Sequence, residues 1–377
     1  MFVEYHLIQN FAPSNLNRDD TGAPKDAVFG GYRRARVSSQ CFKRSVRLLA
    51  AEQNLLGPQS RGIRTKKLVE ILEDRLRAMN RPEPALRIKV ALAAAGLKVD
   101  EHGETQYLLF LGKGEIDAFA KLIDTHWDEL GSSTVDEKKT KKEAKAAAPE
   151  AVVQSAKGLL DGGKAVDVAL FGRMLADLPR ANLDAACQVA HAISTHRVER
   201  EFDYFTAVDD MAKGDDTGAG MIGQLEFTSA TFYRYAVMDV AKLIENLQGD
   251  RELALSGLGA FTEAFSRAIP SGKQNTFAAH NPPSFIGVVL RRGSPLNLAN
   301  AFEKPVIAYH DQTLTAQSVA ALAQHEQKTA TVFGDSRDAW AVLDLTGAWP
   351  SEQAHQAARL DDLSKWVKAQ VSAGLGA

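Results

Sequence analysis

Apolar residues recur along the chain at two spacings, and each spacing predicts a type of secondary structure. Residues 2–11 alternate loosely and, like residues 226–238, are rich in aromatic and β-branched types, which is typical of strands. Residues 40–53 place apolar side chains at i, i+4 and i+7 from Phe42, which predicts an amphipathic helix with one face toward a core. Ser38 and Ser39 precede this helix and supply its N-cap.

The same spacings in the rest of the chain predict strands and helices in alternation. Further strands are predicted at residues 34–37, 107–111, 165–170 and 285–290. Further helices are predicted at residues 65–97 with a break at Pro82 and Pro84, 115–127, 182–193, 239–248, 251–268, 298–307, 315–325 and 360–371. Strands separated by long helical stretches predict an α+β fold, in which residues 60–160 form a mostly helical insertion.

Residues 197–226 depart from both spacings. They mix charges with the aromatic pair Tyr204–Phe205, and they continue into the Gly-rich, acidic segment KGDDTGAGMIGQLE. That composition is typical of a flexible hairpin tip. We therefore predict an extended, protruding arm over residues 197–226.

Composition narrows the class of protein. The chain has 377 residues, 45% of them hydrophobic, and a formal net charge of -2, so any nucleic-acid site must be a local basic stripe on an ordinary globular protein. Two cysteines, Cys41 and Cys187, are too few for a zinc ribbon or a disulfide framework and suit a reducing cytoplasm. No apolar run approaches the roughly 20 residues that span a bilayer, and the N-terminus does not resemble a signal peptide. We expect a cytoplasmic protein without membrane partners.

Residues 17–47 form the strongest candidate site. Between Tyr32 and Arg47 the chain carries six positive charges and no acidic residue. Gln40, Lys43 and Arg47 share a helix face away from the apolar one, close to a helix N-terminus whose dipole favours anions. A solvated basic face is the ordinary alternative. The coincidence of the Gly30–Gly31 pair, the arginines and the serine cap favours a seat for a phosphate backbone.

Two other features carry weaker hypotheses. The run DEKKTKKEAKAAAPE at residues 136–150 is either an exposed linker or a second, mobile lysine patch for non-specific phosphate contact. Met174 follows a predicted strand end, where it either caps a core or wedges against a base.

Several long motifs together resemble one family. They are NRDD at 17–20, KDAVFGGYRRARVSSQCFKRSVR at 25–47, HAISTHRVEREFDYFTAVDD at 191–210, EFTSATFYRYA at 226–236, GKQNTFAAHNP at 272–282 and NLANAFEKP at 297–305. In this order they resemble the CasC family, the "Cas-seven" backbone subunits of type I-E CRISPR Cascade complexes. The resemblance covers nearly the whole chain.

The resemblance implies an RRM-like (ferredoxin-like) palm with a helical finger insertion and a thumb hairpin. On this sequence it divides the chain into 1–58 (palm, first part), 59–185 (finger, with a return strand to the palm), 186–196 (a palm helix), 197–226 (the thumb arm) and 227–377 (palm, second part, with C-terminal helices). Copies are expected to polymerise along CRISPR guide RNA, with the thumb of one copy folding over the RNA of its neighbour. The assembly would pair the guide with a target DNA strand beside other Cascade subunits, while a separate helicase-nuclease cuts. No catalytic residue, cofactor or metal is expected.

The resemblance and the basic stretch also assign candidate contacts. Guide RNA is expected at Arg18, Lys25, Arg34, Arg36, Ser38, Gln40, Lys43, Arg47, Met174, Tyr204, Phe205 and Lys273. Target DNA is expected at the finger lysines Lys138, Lys139, Lys141 and Lys142. Relatives may have Trp where this chain has Tyr204, and Tyr keeps a smaller π-face for stacking.

Two alternatives from other functional classes stay open. Asp19, Asp20 and Asp26 lie beside the basic stretch and could hold a divalent metal for cleavage of guide-paired RNA, with Asp26 as the key residue. We interpret these carboxylates instead as ion-pair partners of Arg18 or of neighbouring arginines. A general single-stranded RNA coat protein would explain the basic helix and the arm equally well. His310–Asp311 lacks a second metal cluster, and His191 and His196 lack the i, i+4 spacing of a helical pair.

Overall fold

The computed structural model describes residues 1–131, 148–175, 178–207, 221–309 and 311–376, which form an α+β fold. The chain divides into two units. Unit 1 comprises Met1–Glu52, Gln188–Asp239 and Leu258–Ala377, and unit 2 comprises Gln53–Cys187 and Val240–Gly257. Among the described residues, no helix is long and apolar enough to cross a membrane.

The strands are numbered in chain order. They are β1 Phe2–Ser14, β2 Asp26–Phe29, β3 Tyr32–Val37, β4 Gly62–Thr65, β5 Leu109–Gly112, β6 Cys187–Val189, β7 Ala192–Ser194, β8 Glu201–Ala207, β9 Met221–Asp239, β10 Phe285–Arg291, β11 Ala339–Asp344 and β12 His355–Gln356.

The helices are numbered in the same way. They are α1 Ser39–Glu52, α2 Leu68–Ala78, α3 Ala85–Ala94, α4 Lys113–Thr125, α5 Trp127–Gly131, α6 Glu150–Lys157, α7 Val166–Phe171, α8 Val240–Asn246, α9 Arg251–Arg267, α10 Gln274–Phe277, α11 Leu314–Phe333 and α12 Leu360–Gly376.

Unit 1 is built on one sheet with the order β12-β11-β10-β1-β9-β7-β3-β2. β1 is central and pairs antiparallel with both β10 and β9. Burial on both faces explains its loose alternation, because its polar residues face buried partners. Glu4, for example, accepts from the buried Arg291 guanidinium (Nε to Oε2, 2.9 Å), which also binds Glu326 at 3.0 Å. Such pairing is what allows charges to lie inside a protein.

Unit 2 is mostly helical and has its own core. Apolar side chains of α2, α3 and α4 pack there with those of the two-stranded sheet β4–β5. A buried ion pair joins the start of α4 to the segment after α7: the Arg173 guanidinium lies 2.8 Å from Glu115 Oε1. Glu115 also accepts from the backbone N–H groups of Gly112 and Gly162. The helical insertion predicted for residues 60–160 is therefore confirmed over its described part.

Two predicted elements are wrong. Residues 165–170 were predicted as a strand, but they form the short helix α7. All of its apolar side chains are buried, so apolar residues do not mark one face and the helical spacing cannot be recognised from them. A helix was predicted at residues 182–193, and the family resemblance implied a palm helix at 186–196. Residues 182–196 contain no helix. They form β6 and β7 instead, and β7 pairs Ile193 with Tyr233 of β9. The predicted helix at 298–307 shortens to a 3-10 turn, Leu298–Phe302.

Candidate nucleic-acid interface

Helix α1 begins as its sequence predicts. The Ser38 hydroxyl accepts a hydrogen bond from the Cys41 N–H at 3.3 Å, and the Ser38 carbonyl accepts from the Phe42 N–H at 3.2 Å. Ser38 is itself buried, and its own N–H donates to Asn17 Oδ1 at 2.9 Å. Ser38 thus joins the 17–25 turn to the helix start, and its contact with RNA stays a prediction.

The two faces of α1 also separate as predicted. Phe42 and Val46 are buried in the core of unit 1. Gln40 is exposed, and Lys43 and Arg47 are half-buried. Arg44, which was not among the predicted contacts, is exposed on the same helix. Its charge was visible in the sequence, but periodicity alone did not place it in a groove.

That groove has a volume of about 430 Å³ and brings Arg18 and Arg44 together. Its walls are the 16–22 turn, α1 and the loop that carries Ser271 and Gly272. Gly272 is required there, because a Cβ atom would lie 2.3 Å from the Leu16 carbonyl oxygen. The next residue, Lys273, is half-buried and has a left-handed backbone with φ of 51°. Residues far apart in sequence thereby form one concave, partly basic surface.

Asp19 has a different role from the one predicted. Its Oδ1 accepts from the Thr21 hydroxyl at 2.7 Å, the Thr21 N–H at 3.0 Å and the Ala23 N–H at 3.0 Å. The Thr21 hydroxyl is the main cause that lowers the pKa of this carboxyl. Asp19 therefore stabilises the turn mainly through hydrogen bonds of its own loop. Of the predicted arginine partners, the charge of Arg200 contributes to the lowered pKa of Asp19 after these hydrogen bonds.

Arg34 is not an RNA contact, because it is fully buried. Its guanidinium donates to the carbonyl oxygens of Ser194 at 3.2 Å, Phe302 at 2.7 Å and Glu303 at 3.1 Å. The backbone at Glu303 also explains why residue 30 is glycine. Gly30 has φ of +60°, and a Cβ atom there would lie 2.0 Å from the Glu303 carbonyl oxygen. At Gly30 the close neighbour is thus the protein's own backbone, at Glu303.

Asp26 lies at the centre of a cationic cluster. Its Oδ2 is 2.9 Å from Arg200 Nη2 and 3.3 Å from Arg33 Nη1. The Arg36 Nε donates to the Asp26 carbonyl oxygen at 3.1 Å. Arg200 also binds Glu226 Oε2 through Nη1 at 3.0 Å. The interpretation of Asp26 as an ion-pair partner of neighbouring arginines is confirmed.

The predicted contacts Lys25 and Arg36 lie beside this cluster. Arg36 Nη1 is 3.0 Å from His191 Nδ1. The pKa of His191 is lowered by burial first, and then by the nearby charges of Arg36 and Lys25. The side chains of Arg36 and Lys25 thus both act on His191, so two positive charges lie close together here.

The arm is a two-stranded ribbon at the described end that joins it to the sheet. β8 pairs with the first residues of β9, with Tyr204 opposite Gln224 and Phe205 opposite Gly223. Consecutive residues of a strand point to opposite faces, so the two aromatic side chains serve different faces of the ribbon. Tyr204 is 70% exposed, and the Phe205 ring lies over Gly223. Phe202 is also exposed and was missed, although it shares the alternation of Tyr204.

In unit 2, Met174 is 83% exposed, which excludes the core-capping alternative. The preceding Arg173 is buried, with its guanidinium bound to Glu115 and to the carbonyl oxygens of Ala181 and Leu160. The hydrogen bonds of Arg173 fix the backbone beside Met174, whose apolar side chain is exposed to solvent. The finger lysines Lys138, Lys139, Lys141 and Lys142, and His310, lie outside the described residues.

The comparisons with known proteins agree on one family. The family described as CT1975-like protein matches residues 3–368. The chain belongs to this family. One solved structure, "CRISPR RNA-guided surveillance complex, pre-nicking", contains a chain that is 30% identical, with 98% of this chain and 100% of that chain covered and a TM-score of 0.79. Another, "CRISPR RNA-guided surveillance complex", is 25% identical with the same coverage and a TM-score of 0.72. No curated protein sequence matches the chain.

As a CT1975-like protein, the chain has the α+β fold of subunits found in those complexes. In the described part of the chain, no group of three or more His, Cys, Asp or Glu residues is arranged to hold a metal ion. Asp26, the residue on which a metal-dependent nuclease would depend, has guanidinium groups as its neighbours. The candidate site of unit 1 is therefore a basic surface with exposed aromatic side chains on the arm. Unit 2, by itself, presents the exposed apolar side chain of Met174.

Proposed function

We propose that this CT1975-like protein is CasC, the non-catalytic backbone subunit of a type I-E CRISPR Cascade complex in the cytoplasm. It would polymerise along CRISPR guide RNA and present that RNA for pairing with invading DNA. The observation that carries the proposal is the match of 98% of the chain, at 30% identity, to a chain of a CRISPR RNA-guided surveillance complex. The basic surface of unit 1 supplies the phosphate contacts that such a scaffold needs.

Individual residues have separate roles in this proposal. Lys25, Arg36, Lys43 and Arg47, with Gln40, Ser38, Arg18 and Lys273, would hold the guide backbone, and Arg44 is added to them because it lines the groove with Arg18. Tyr204 and Phe205 would stack on bases. Met174 would pack against a displaced nucleotide, since an exposed apolar side chain can wedge into a base step.

The architecture follows the same proposal. We infer an RRM-like palm, a helical finger and a thumb arm, in which the thumb of one copy closes over the RNA held by the next. The finger lysines Lys138, Lys139, Lys141 and Lys142 would contact target DNA. Other Cascade subunits and a separate helicase-nuclease are the expected partners, and no cofactor is required.

The deciding experiment is purification of the native protein from its own cells, followed by sequencing of the RNA that remains bound. Repeat-flanked guides of uniform length are the expected result. Mixed cellular RNA would instead support a general single-stranded RNA coat protein, and would overturn the CRISPR assignment.

The nuclease alternative has its own test. The assembled complex is incubated with guide-complementary RNA and Mg²⁺, beside a complex that carries Asp26→Ala. We expect no cleavage, because in the described part of the chain no group of three or more His, Cys, Asp or Glu residues, around Asp26 or elsewhere, is arranged to hold a metal ion. Regularly spaced cuts that Asp26→Ala abolishes would make the protein an RNase subunit.

A further inference from the structure

One carboxylate lies among four cationic side chains at the base of the arm. Around Asp26 are Arg33 and Arg200 at its carboxylate, Arg36 at its carbonyl oxygen, and Lys25 directly before it. Two further acids act on Arg200. Glu226 Oε2 lies 3.0 Å from its Nη1. Asp19, whose pKa is lowered first by the Thr21 hydroxyl, also lies within the field of Arg200. The cluster therefore keeps a positive excess even with Asp26 in place.

The carboxylate of Asp26 has the geometry of a phosphate oxygen in a guanidinium site. Its Oδ2 receives two arginines at 2.9 and 3.3 Å, from β3 on one side and from the segment before β8 on the other. Carboxylates and phosphodiesters are both monoanions with planar or near-planar oxygen pairs that guanidinium groups bind in the same way. A phosphodiester therefore offers the two guanidinium groups the same single negative charge that Asp26 offers them.

The pair is also open to exchange. Arg33 is 58% exposed, and Asp26 and Arg200 keep about a quarter of their side-chain surface in solvent. Partly exposed ion pairs contribute little to folding, so replacing one anion by another leaves the fold intact. Arg200 need not move far, because its second amino group stays on Glu226 at 3.0 Å.

We propose that Arg33 and Arg200 form a phosphate site for the guide RNA backbone at the base of the arm, which Asp26 occupies in the free protein and vacates when RNA binds. The inference rests on the proposed function and adds to it two contacts and a competing anion. Asp26 then lowers the affinity for RNA while no RNA is bound, and it keeps the two guanidinium groups in position.

The test measures binding of a fluorescein-labelled, repeat-flanked guide RNA to the full chain by anisotropy at several salt concentrations. Asp26→Asn removes the competing charge and should tighten binding about fivefold, the equivalent of one partly exposed ion pair of about 1 kcal/mol. Arg33→Ala should weaken binding and reduce the slope of log K against log salt by about one. In the double variant, Asp26→Asn should bring a smaller gain than it does alone. Glu352→Gln, an exposed acid of unit 1 outside the cluster, makes the same charge change and should alter affinity little.

The outcomes are separable. Equal or weaker binding by Asp26→Asn, with an unchanged melting curve, overturns the inference. So does an Arg33→Ala variant with wild-type affinity and salt slope; this variant is informative even if Asp26→Asn folds poorly, because Arg33 is largely exposed. If the wild-type chain binds no guide RNA at all, the proposed function fails instead.

Discussion

Substitution of Arg34 tests whether the basic stretch contains structural as well as RNA-binding arginines. Arg34→Met removes a buried guanidinium whose donors reach four carbonyl oxygens: those of Phe29, Ser194, Phe302 and Glu303. Water can reach the carbonyls of exposed residues, but those of Ser194 and Phe302 are buried and would lose their partner. An unsatisfied buried polar group costs about 1–3 kcal/mol. Relief from burying a charge offsets part of this, so we expect a net loss of about 3 kcal/mol.

The assay is thermal and urea unfolding of the purified chain. For a unit of this size a loss of 1 kcal/mol lowers the melting temperature by about 2–4 °C, so Arg34→Met should lower it by roughly 6–12 °C. Arg33→Met is the matched control on the same strand. Arg33 is 58% exposed, so this variant should change the free energy of unfolding by less than about 1 kcal/mol.

The refuting result is equally specific. Suppose that Arg34→Met has the same melting temperature as Arg33→Met. The carbonyl oxygens would then have found other partners, and the hydrogen bonds of Arg34 would not be what holds the β2–β3 hairpin to residues 302–303. Guide RNA supplies a second readout. Arg34→Met, measured where it is folded, should keep the wild-type salt slope of RNA binding, whereas a decrease by about one would make Arg34 a phosphate contact after all.

Three further predictions address the arm, the helix and pH. Lys43→Ala combined with Arg47→Ala should weaken guide binding and lower the salt slope by about two, as measured by anisotropy. Replacing residues 203–224 of the arm by a tight turn should leave a folded monomer that forms no filaments on guide RNA, as seen by electron microscopy. Stability should fall as pH drops below about 6.5. Burial, and next the charge of Arg34, lower the pKa of His196, which stays neutral by accepting the Thr231 N–H at 3.2 Å. The stability advantage of wild type over His196→Gln in urea unfolding should therefore shrink in acid.

Each of these has an outcome that contradicts it. A salt slope that both alanines leave unchanged would remove α1 from the phosphate site. Filaments of normal length without the arm would show that another surface joins the copies. A His196→Gln difference that is constant from pH 7 to 5 would mean that His196 titrates alike when folded and unfolded; His280→Gln, on an exposed loop, serves as the control.

The elements that sequence predicted well are those whose signals are local. The start of α1 follows from Ser38 and its faces follow from Phe42, because capping and periodicity act within a few residues. β7 was missed because its strand character depends on pairing Ile193 with Tyr233, a contact that the local Ala-rich composition does not encode. Tertiary pairing overrode a helical propensity there.

The candidate site shows the same limit at the level of single side chains. Asp19 was predicted to pair with Arg18 or neighbouring arginines, yet its Oδ1 accepts hydrogen bonds from Thr21 and Ala23 in its own turn. Arg44 was not predicted as a contact, although it lines one groove with Arg18. That groove forms only when the distant loop that carries Gly272 packs beside them, which the local sequence does not show. Charge can be read from a sequence, but accessibility depends on residues that fold against it.

The basic stretch therefore combines several functions rather than one. The neighbouring arginines of β3 differ in exposure and in their partners. Arg33 is exposed and pairs with Asp26, whereas Arg34 is buried and donates to backbone carbonyl oxygens. Their alternation is that of any strand with one face toward a core. A nearly neutral chain can thus hold a polyanion, because the buried guanidinium shapes the surface while its exposed neighbours supply the field. If the proposed phosphate site is right, a phosphate backbone would be selected by the arrangement of Arg33, Arg36 and Arg200 around Asp26, and not by the number of positive charges in the stretch.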